Sequence, residues 1–331
     1  MARMKDVAVR SGVSESTVSH VLNNTKFVSP GVRERVLAAM SELKFHGNAH
    51  ARRLARGHSD FLGLIISDIE NPFLPGLVKA FDLAAFESGF DVLLSTTNYD
   101  NVRTERSFRK MIENKTPGVA VMTSRIDPAL GETLEASGIA SVFLDCGSTG
   151  PLRSNIRLDY AKGTHEAVNF LYSLGHRQFA FIAGPQNRPS HAAYRDALIE
   201  ALHLLDLKPR LLDGDNDMAS GESAVQRLMT ERPLPTAIVC SNDLTAIGAI
   251  KALLEAGIGV PQDISVVGAD DIPFAAMCHP PLTTVQIPRE RLGILACGIL
   301  QQMLKDKLPG TESVLDTTLI VRQSTGPVRP A

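Results

Sequence analysis

The chain has 331 residues, 44% hydrophobic and 21% charged, with a formal net charge of −2. That length fits two or three domains, and the composition is that of an ordinary globular protein. No stretch approaches the ~20 apolar residues of a membrane span, and no apolar secretory segment opens the chain, so neither a membrane nor an exported protein is expected. Cys146, Cys240, Cys278 and Cys297 are widely spaced with no C-x-x-C pair. They read as buried small residues in a reducing cytoplasm, not as a metal site. Residues 1–60 hold ten Lys/Arg against five Asp/Glu, leaving 24 against 31 in the rest. A basic head on an acidic body implies that only the head meets a polyanion.

Within that head, Lys5–Asn24 predicts a short helix, a tight turn at Gly12 and a second helix opening on Ser14, a residue type that caps helix N-termini. Val18, Val21 and Leu22 recur at helical spacing and can meet Val7, Ala8 and Val13 of the first helix. The outer face then carries Ser16, His20 and Asn23, with Glu15 and Thr17 near the helix start. A helix with a small, hydrogen-bonding outer face suits the major groove of DNA, where base edges present a distinct donor and acceptor pattern. The pattern is a helix-turn-helix. A third helix follows, with Ser29 as cap, Pro30 at its first position and Val32, Val36, Met40 and Leu43 as its buried stripe.

Asn48–Gly57 is a ten-residue helical pattern that opens on a cap, Asn48, and closes on a stop, Gly57. Two turns of isolated helix are marginal in water, so this segment is expected to order only against DNA and a second copy. Its one large apolar residue, Leu54, has two readings: a wedge between base steps in the minor groove, or a side chain packed on the body.

From Phe61 the pattern becomes strand and helix in alternation. Apolar runs at residues 61–67, 90–95, 119–122, 139–144, 179–183, 237–240 and 264–267 suit strands of parallel sheets buried on both faces. Two doubly wound lobes with a cleft between them are the economical reading. Ligands of such sheets bind beyond the carboxyl ends of the strands, which nominates Asp68, Phe73, Ser124, Arg125, Asp145, Asn242, Asp243, Asp270 and Asp271, with Arg195 from a nearby helix. An aromatic face, carboxylates, an amide and an arginine would suit a polyhydroxylated sugar. Each Asp or Asn there also has a cap or turn reading, assigned here to Asp243 and Asp271. Leu292, Leu295, Ala296, Ile299, Leu300 and Met303 make a late helical stripe, read as core of the first lobe, with a dimer face as the alternative. The chain ends at Pro330-Ala331 without a leucine-rich tail, so no tetramer is expected.

Across nearly its whole length the sequence resembles the LacI/GalR family of bacterial transcription regulators, with a head most like the family's purine and ribose repressors. The matching residues are Asp6-Val7-Ala8, Gly12-Val13-Ser14, Thr17-Val18-Ser19, Asn23, Val28-Ser29 and Arg33. They continue through Ala51, Leu54, Asn71-Pro72-Phe73, Gly175-His176-Arg177, Gly184-Pro185, Asn242-Asp243, Pro261–Gly268, Pro281–Thr284 and Leu319–Thr325. The resemblance implies an all-α helix-turn-helix head (1–46), a hinge helix and linker (47–60), and a periplasmic-binding-protein-like α/β body. In that body 61–160 plus 288–318 form one doubly wound parallel-sheet lobe, and 161–287 plus 319–331 form the other.

It further implies a homodimer on palindromic double-stranded operator DNA, with paired Leu54 levers, no cofactor and no membrane contact. By position Glu15, Ser16 and His20 would read bases, with Thr17, Ser19, Asn23 and Asn48 on phosphates. Glu15 can accept only from cytosine N4, or it complements the helix dipole. Phe73, Asp145, Arg195, Asn242 and Asp270 would contact a small effector. Departures gather in the cleft. Asp196-Ala197-Leu198 follows Arg195 where glycine and an aromatic are usual, Ile287 stands where glutamine is common, and Pro117 stands where an aspartate precedes the strand. No aromatic precedes the Asp270-Asp271 pair, and the chain has no tryptophan. In the hinge, Gly47 replaces a proline.

A repressor whose operator affinity an effector shifts is the leading reading, with a purine-type, corepressor-dependent regulator as its variant. A solute-binding protein would carry a signal peptide and no basic head. An enzyme would need a phosphate loop, a metal-ligand spacing or a nucleophile elbow, and none is present. His176 and His191 read as structural or cleft-lining.

Overall fold

The computed structural model describes residues 2–23, 26–45, 59–123, 127–145 and 148–329, apart from the side chain of Asn23. It divides into two compact units, Met1–Asp60 and Phe61–Ala331. The hinge pattern with Asn48 and Leu54 lies outside the described residues, as do Ser124, Arg125 and Cys146.

The head comprises α1 (Met4–Ser11), α2 (Glu15–Asn23) and α3 (Pro30–Glu42). Gly12 ends α1 in the left-handed region at φ 69°, a conformation that costs glycine nothing. Ser14 caps α2 as expected, its Oγ accepting from the Thr17 N–H at 3.2 Å. Ser29 precedes α3 but makes no side-chain cap; its carbonyl accepts from Val32 and Arg33 instead. Val7, Ala8, Val18, Val21, Val36 and Ala39 are buried together, with Val13, Leu22, Val32, Met40 and Leu43 packed around them. A core this small leaves the head marginally stable, since small units bury little apolar surface.

The body begins with β1 (Phe61–Ile66), α4 (Leu74–Glu87), β2 (Asp91–Thr96), α5 (Asn101–Glu113), β3 (Gly118–Met122), α6 (Pro128–Ala136), β4 (Ala140–Leu144) and β5 (Arg153–Asp159). A second series runs α7 (Tyr160–Ser173), β6 (Phe179–Ala183), α8 (Pro189–His203), β7 (Arg210–Asp213), α9 (Met218–Met229), β8 (Ala237–Cys240), α10 (Asp243–Glu255), β9 (Ser265–Asp270), α11 (Pro273–Met277) and β10 (Thr283–Gln286). The chain then returns through α12 (Arg289–Asp306) and β11 (Glu312–Asp316) before ending with β12 (Thr318–Ile320). One sheet has the order β11-β5-β4-β3-β1-β2 and the other β12-β10-β9-β8-β6-β7. The chain thus passes between lobes after β5, after β10 and after β11.

Every pairing in the first sheet is parallel. In the second sheet β12 runs antiparallel to β10, so that lobe is parallel only up to its last edge. Strands β5, β7, β10, β11 and β12 escape the apolar-run reading. Arg153–Asp159 mixes charge with apolar residues, β7 and β11 are edge strands, and the others have four residues or fewer. The stripe on α12 packs with α4 and the first sheet in one core, where Leu292, Ala296, Ile299, Leu300 and Met303 are buried beside Leu77 and Phe81, so it is core of that lobe. In the second lobe α9 and α10 touch backbone to backbone. A Cβ on Gly248 would lie 2.0 Å from the Met218 carbonyl, and one on Gly221 would lie 2.1 Å from that of Thr245.

Candidate functional site

The outer face of α2 carries Glu15 and Ser16 exposed and Thr17, Ser19 and His20 half-buried, while its inner face shares the core of the head with α1 and α3. The Ser14 hydroxyl lies 2.7 Å from that of Ser16 and 2.9 Å from that of Thr17, tying the first turn of the helix together. The first turn thereby presents small hydroxyls and one carboxylate.

The second site is a cavity of about 110 Å³ at the carboxyl ends of both sheets, below the ~300–1,000 Å³ of ordinary ligand pockets. From the first lobe it is lined by Ser67, Asn71, Phe73, Tyr99, Asp145 and Leu158, among others, and from the second by Ser190, His191, Tyr194, Asn216, Ser241, Asn242 and Asp270. Four of these residues hold positive φ: Tyr99 at 56°, Asp145 at 53°, Asn216 at 65° and Asp270 at 103°. Backbone strain of this kind concentrates at ligand sites, where it aims side chains that a relaxed strand end would not.

Asp145 sits just past β4 and accepts from the Leu158 N–H at 2.9 Å and the Tyr160 hydroxyl at 2.7 Å. Burial raises its pKa, and those two bonds pull the other way. Both its oxygens therefore hold β5 and Tyr160 in place as well as facing the cavity. Asn242 is nearly buried and is itself the cap of α10, accepting from the Thr245 N–H at 2.9 Å while its amide donates to the Asn216 carbonyl at 2.9 Å. Asp270 ends β9 with its carboxyl hydrogen-bonded to none of the described residues, and burial, with Asp243 nearby, pushes its pKa well up.

Arg195 is not brought into the cavity: its guanidinium folds onto Asp196, with Nη2–Oδ1 at 2.8 Å. The sequence departure after Arg195 supplies the carboxylate that captures it. Asp68 serves a turn, accepting from the Glu70 N–H at 2.9 Å. The cap role expected of Asp243 belongs to Asn242. Asp243 instead ties α11 and β10 together, accepting from the Ile272 N–H at 2.8 Å and the Thr284 hydroxyl at 2.5 Å. Asp271 takes Arg322 at 2.6 Å and the Gln286 amide at 2.7 Å. His176 is structural, its ring nitrogens 3.0 Å from Thr236 Oγ1 and 3.0 Å from the Gly326 carbonyl.

His191, read from the sequence as structural or cleft-lining, does line the cavity, whereas sequence reasoning missed Tyr99, Tyr194 and Asn216. Tyr99 was within reach of the strand-end rule, since it follows the predicted strand at 90–95. Asn216 was not, because β7 escaped notice.

Burial pushes the Asp243 carboxyl from 3.8 up to about 7, against the opposing bonds from Thr284 and Ile272. A carboxyl with a raised folded-state pKa favours folding while protonated. That stabilisation is whole below about pH 3.8 and is lost as pH rises through about 7. Asp243→Asn is expected to flatten the decline in melting temperature across that window. A melting profile that keeps its full slope in the variant would assign the titration to other groups.

Residues 3–48 match the family model described as bacterial regulatory proteins, lacI family, and residues 168–325 match the periplasmic binding protein-like domain. The HTH-type transcriptional repressor PurR of Erwinia tasmaniensis is 36% identical over 339 residues, covering 99% of each chain. Its counterpart in Photobacterium profundum is 33% identical over 312 residues, covering 93% of each. Among solved structures, the lac repressor dimer bound to operator and the anti-inducer ONPF superposes with a TM-score of 0.89 at 29% identity, covering 98% of this chain and 99% of that one. The complex of the transcriptional regulator CelR with cellobiose gives 0.73 at 29% identity, covering 98% and 100%. These relatives are regulators of transcription rather than enzymes. With helix-turn-helix head and two-lobed body both matched along its length, the chain belongs to the lacI family of bacterial regulatory proteins.

Proposed function

We propose that the chain is a transcriptional repressor, working in the cytoplasm, whose dimer grips a palindromic operator and whose operator affinity is set by a small effector between the lobes. The observation that carries this reading is the pairing of a basic three-helix head, with a polar face on α2, and a body with a strained, polar-lined cavity at two sets of strand ends. Glu15, Ser16 and His20 read base edges; Thr17, Ser19, Asn23 and Asn48 hold phosphates. Phe73, Asn242 and Asp270 meet the effector, and Asp145 lines the cavity as an anchor.

Met218, Leu254, Phe274 and Met277 are exposed apolar side chains on the neighbouring helices α9, α10 and α11, and they supply a face for the second copy. An effector alters operator affinity only through its preference for one arrangement of the lobes over another. A purine-type variant, in which the ligand strengthens operator binding, is also consistent with the PurR relatives; the sign of the change on adding ligand separates it from induction.

Binding to a palindromic duplex is expected to fall steeply with salt. A protein neutralising about six to ten phosphates loses ~10³–10⁵ in affinity between ~50 and ~200 mM salt. Fluorescence anisotropy on palindromic and random duplexes across that range measures it. A flat salt dependence, or equal affinity for both duplexes, would remove the head as the reading surface.

A further inference from the structure

Within the cavity the second lobe carries a hydrogen-bonded chain that fixes the protonation of one side chain. The Ser241 hydroxyl donates to Asn216 Oδ1 at 2.7 Å, which leaves the Asn216 amide nitrogen facing His191 Nε2 at 2.9 Å. An amide N–H pointing at Nε2 requires that nitrogen to accept, so the ring proton sits on Nδ1. Burial, reinforced by the positive charge of Arg188, lowers the His191 pKa to about 4, so the ring is neutral at ordinary pH. Nδ1–H has no hydrogen-bond partner among the described residues, on a side chain that lines the cavity. Asp270 lines the same cavity, its carboxyl likewise hydrogen-bonded to none of the described residues. Hydrogen-bonding groups left open inside a structure cost free energy unless a ligand or water meets them.

We infer that His191 is a ligand-reading donor, and that the effector is an uncharged small molecule presenting an acceptor to His191 Nδ1–H and a donor to Asp270. The inference rests on the repressor reading above, in which this cavity holds the effector. The lining supports it: no Lys or Arg is among the described residues around the cavity, so no cation there would offset the charge of an anionic ligand. At the rim the Arg188 guanidinium is stacked 3.6 Å from the centre of the Tyr99 ring. The same donor and acceptor pair is offered by adjacent hydroxyls of a sugar and by the polar edge of a nitrogen heterocycle, so the test carries both.

The full chain is melted with ribose, glucose, adenine and hypoxanthine, and with ribose 5-phosphate and glucose 6-phosphate. Any binder is then titrated against wild type, His191→Phe and His191→Asn. A member of the neutral set is expected to raise the melting temperature, and which one identifies sugar or heterocycle. His191→Phe keeps a flat ring without a donor and is expected to weaken that binding about tenfold, the scale of one lost hydrogen bond. His191→Asn places an amide N–H near the position of Nδ1 and is expected to stay within a few-fold of wild type; it also carries the test if the Phe variant does not fold. Wild-type affinity in His191→Phe, or equal loss in both variants, would overturn the assignment. So would tighter binding of a phosphorylated compound, or no shift with any neutral compound. Operator binding by the wild-type chain is measured in parallel with and without each compound, and its absence under every condition would count against the repressor reading rather than against His191.

Discussion

Phe81→Ala is expected to destabilise the body by about 3–5 kcal/mol, the range for truncating a fully buried aromatic. Phe81 lies on α4 with no exposed surface, in the core that joins α4, α12 and the first sheet. The cost combines lost burial with a cavity the surrounding helices cannot close, because Gly293 of α12 already lies against the backbone of α4: a Cβ there would be 2.5 Å from the Leu77 carbonyl. Since α4 also begins at the cavity, directly after Phe73, loosening it should weaken effector binding as well. Leu204→Ala, at a side chain 71% exposed, is expected to change stability by less than ~0.5 kcal/mol. Urea unfolding of both variants checks the contrast. Comparable midpoints would mean that the α4–α12 core does not carry the fold of that lobe.

Leu54→Ala is expected to weaken specific operator binding by a few kcal/mol while leaving effector binding intact. Leu54 lies outside the described residues, so the prediction stands on its sequence setting: one large apolar side chain in a short basic helical pattern between cap and stop. Inserting such a wedge between base steps exchanges unstacking, at a few kcal/mol per step, for the larger contact that a bent duplex permits. Alanine loses the wedge but keeps the helix propensity. Binding to random duplex, which is mostly electrostatic, should therefore change little. Anisotropy titration on both duplexes measures the difference, and an unaltered specific affinity would return Leu54 to a packing role.

Much of the architecture was legible because hydrophobic spacing is a local signal. The head could be read to its buried residues, since Val7, Val18, Val21 and Val36 recur at helical intervals around one small core. Buried parallel strands such as Phe179–Ala183 announce themselves as short apolar runs. Strands β7, β10, β11 and β12 did not, because short or edge strands are defined by their neighbours' hydrogen bonds rather than by their own composition, and β5 did not because charge interrupts its apolar residues.

The candidate cavity was legible only in outline. Strand ends pointed to Phe73, Asp145, Asn242 and Asp270, and all four line it. Which atoms remain available depends on partners distant in sequence: Leu158 and Tyr160 occupy Asp145, Asn216 takes the Asn242 amide, and the Asp270 carboxyl has no hydrogen bond to a described residue. Arg195 was lost to a carboxylate one residue away, and whether it would fold onto Asp196 or reach the cavity depended on side-chain direction, which spacing does not specify.

Periodicity, turn residues and charge asymmetry thus determined by themselves that a basic helix-turn-helix head precedes two doubly wound lobes, since each is written within a few residues of chain. Only the tertiary structure decided which polar groups face the cleft unpaired and which nitrogen of His191 bears its proton. Those properties belong to hydrogen-bond networks closed between Ser241, Asn216 and His191, residues up to fifty positions apart.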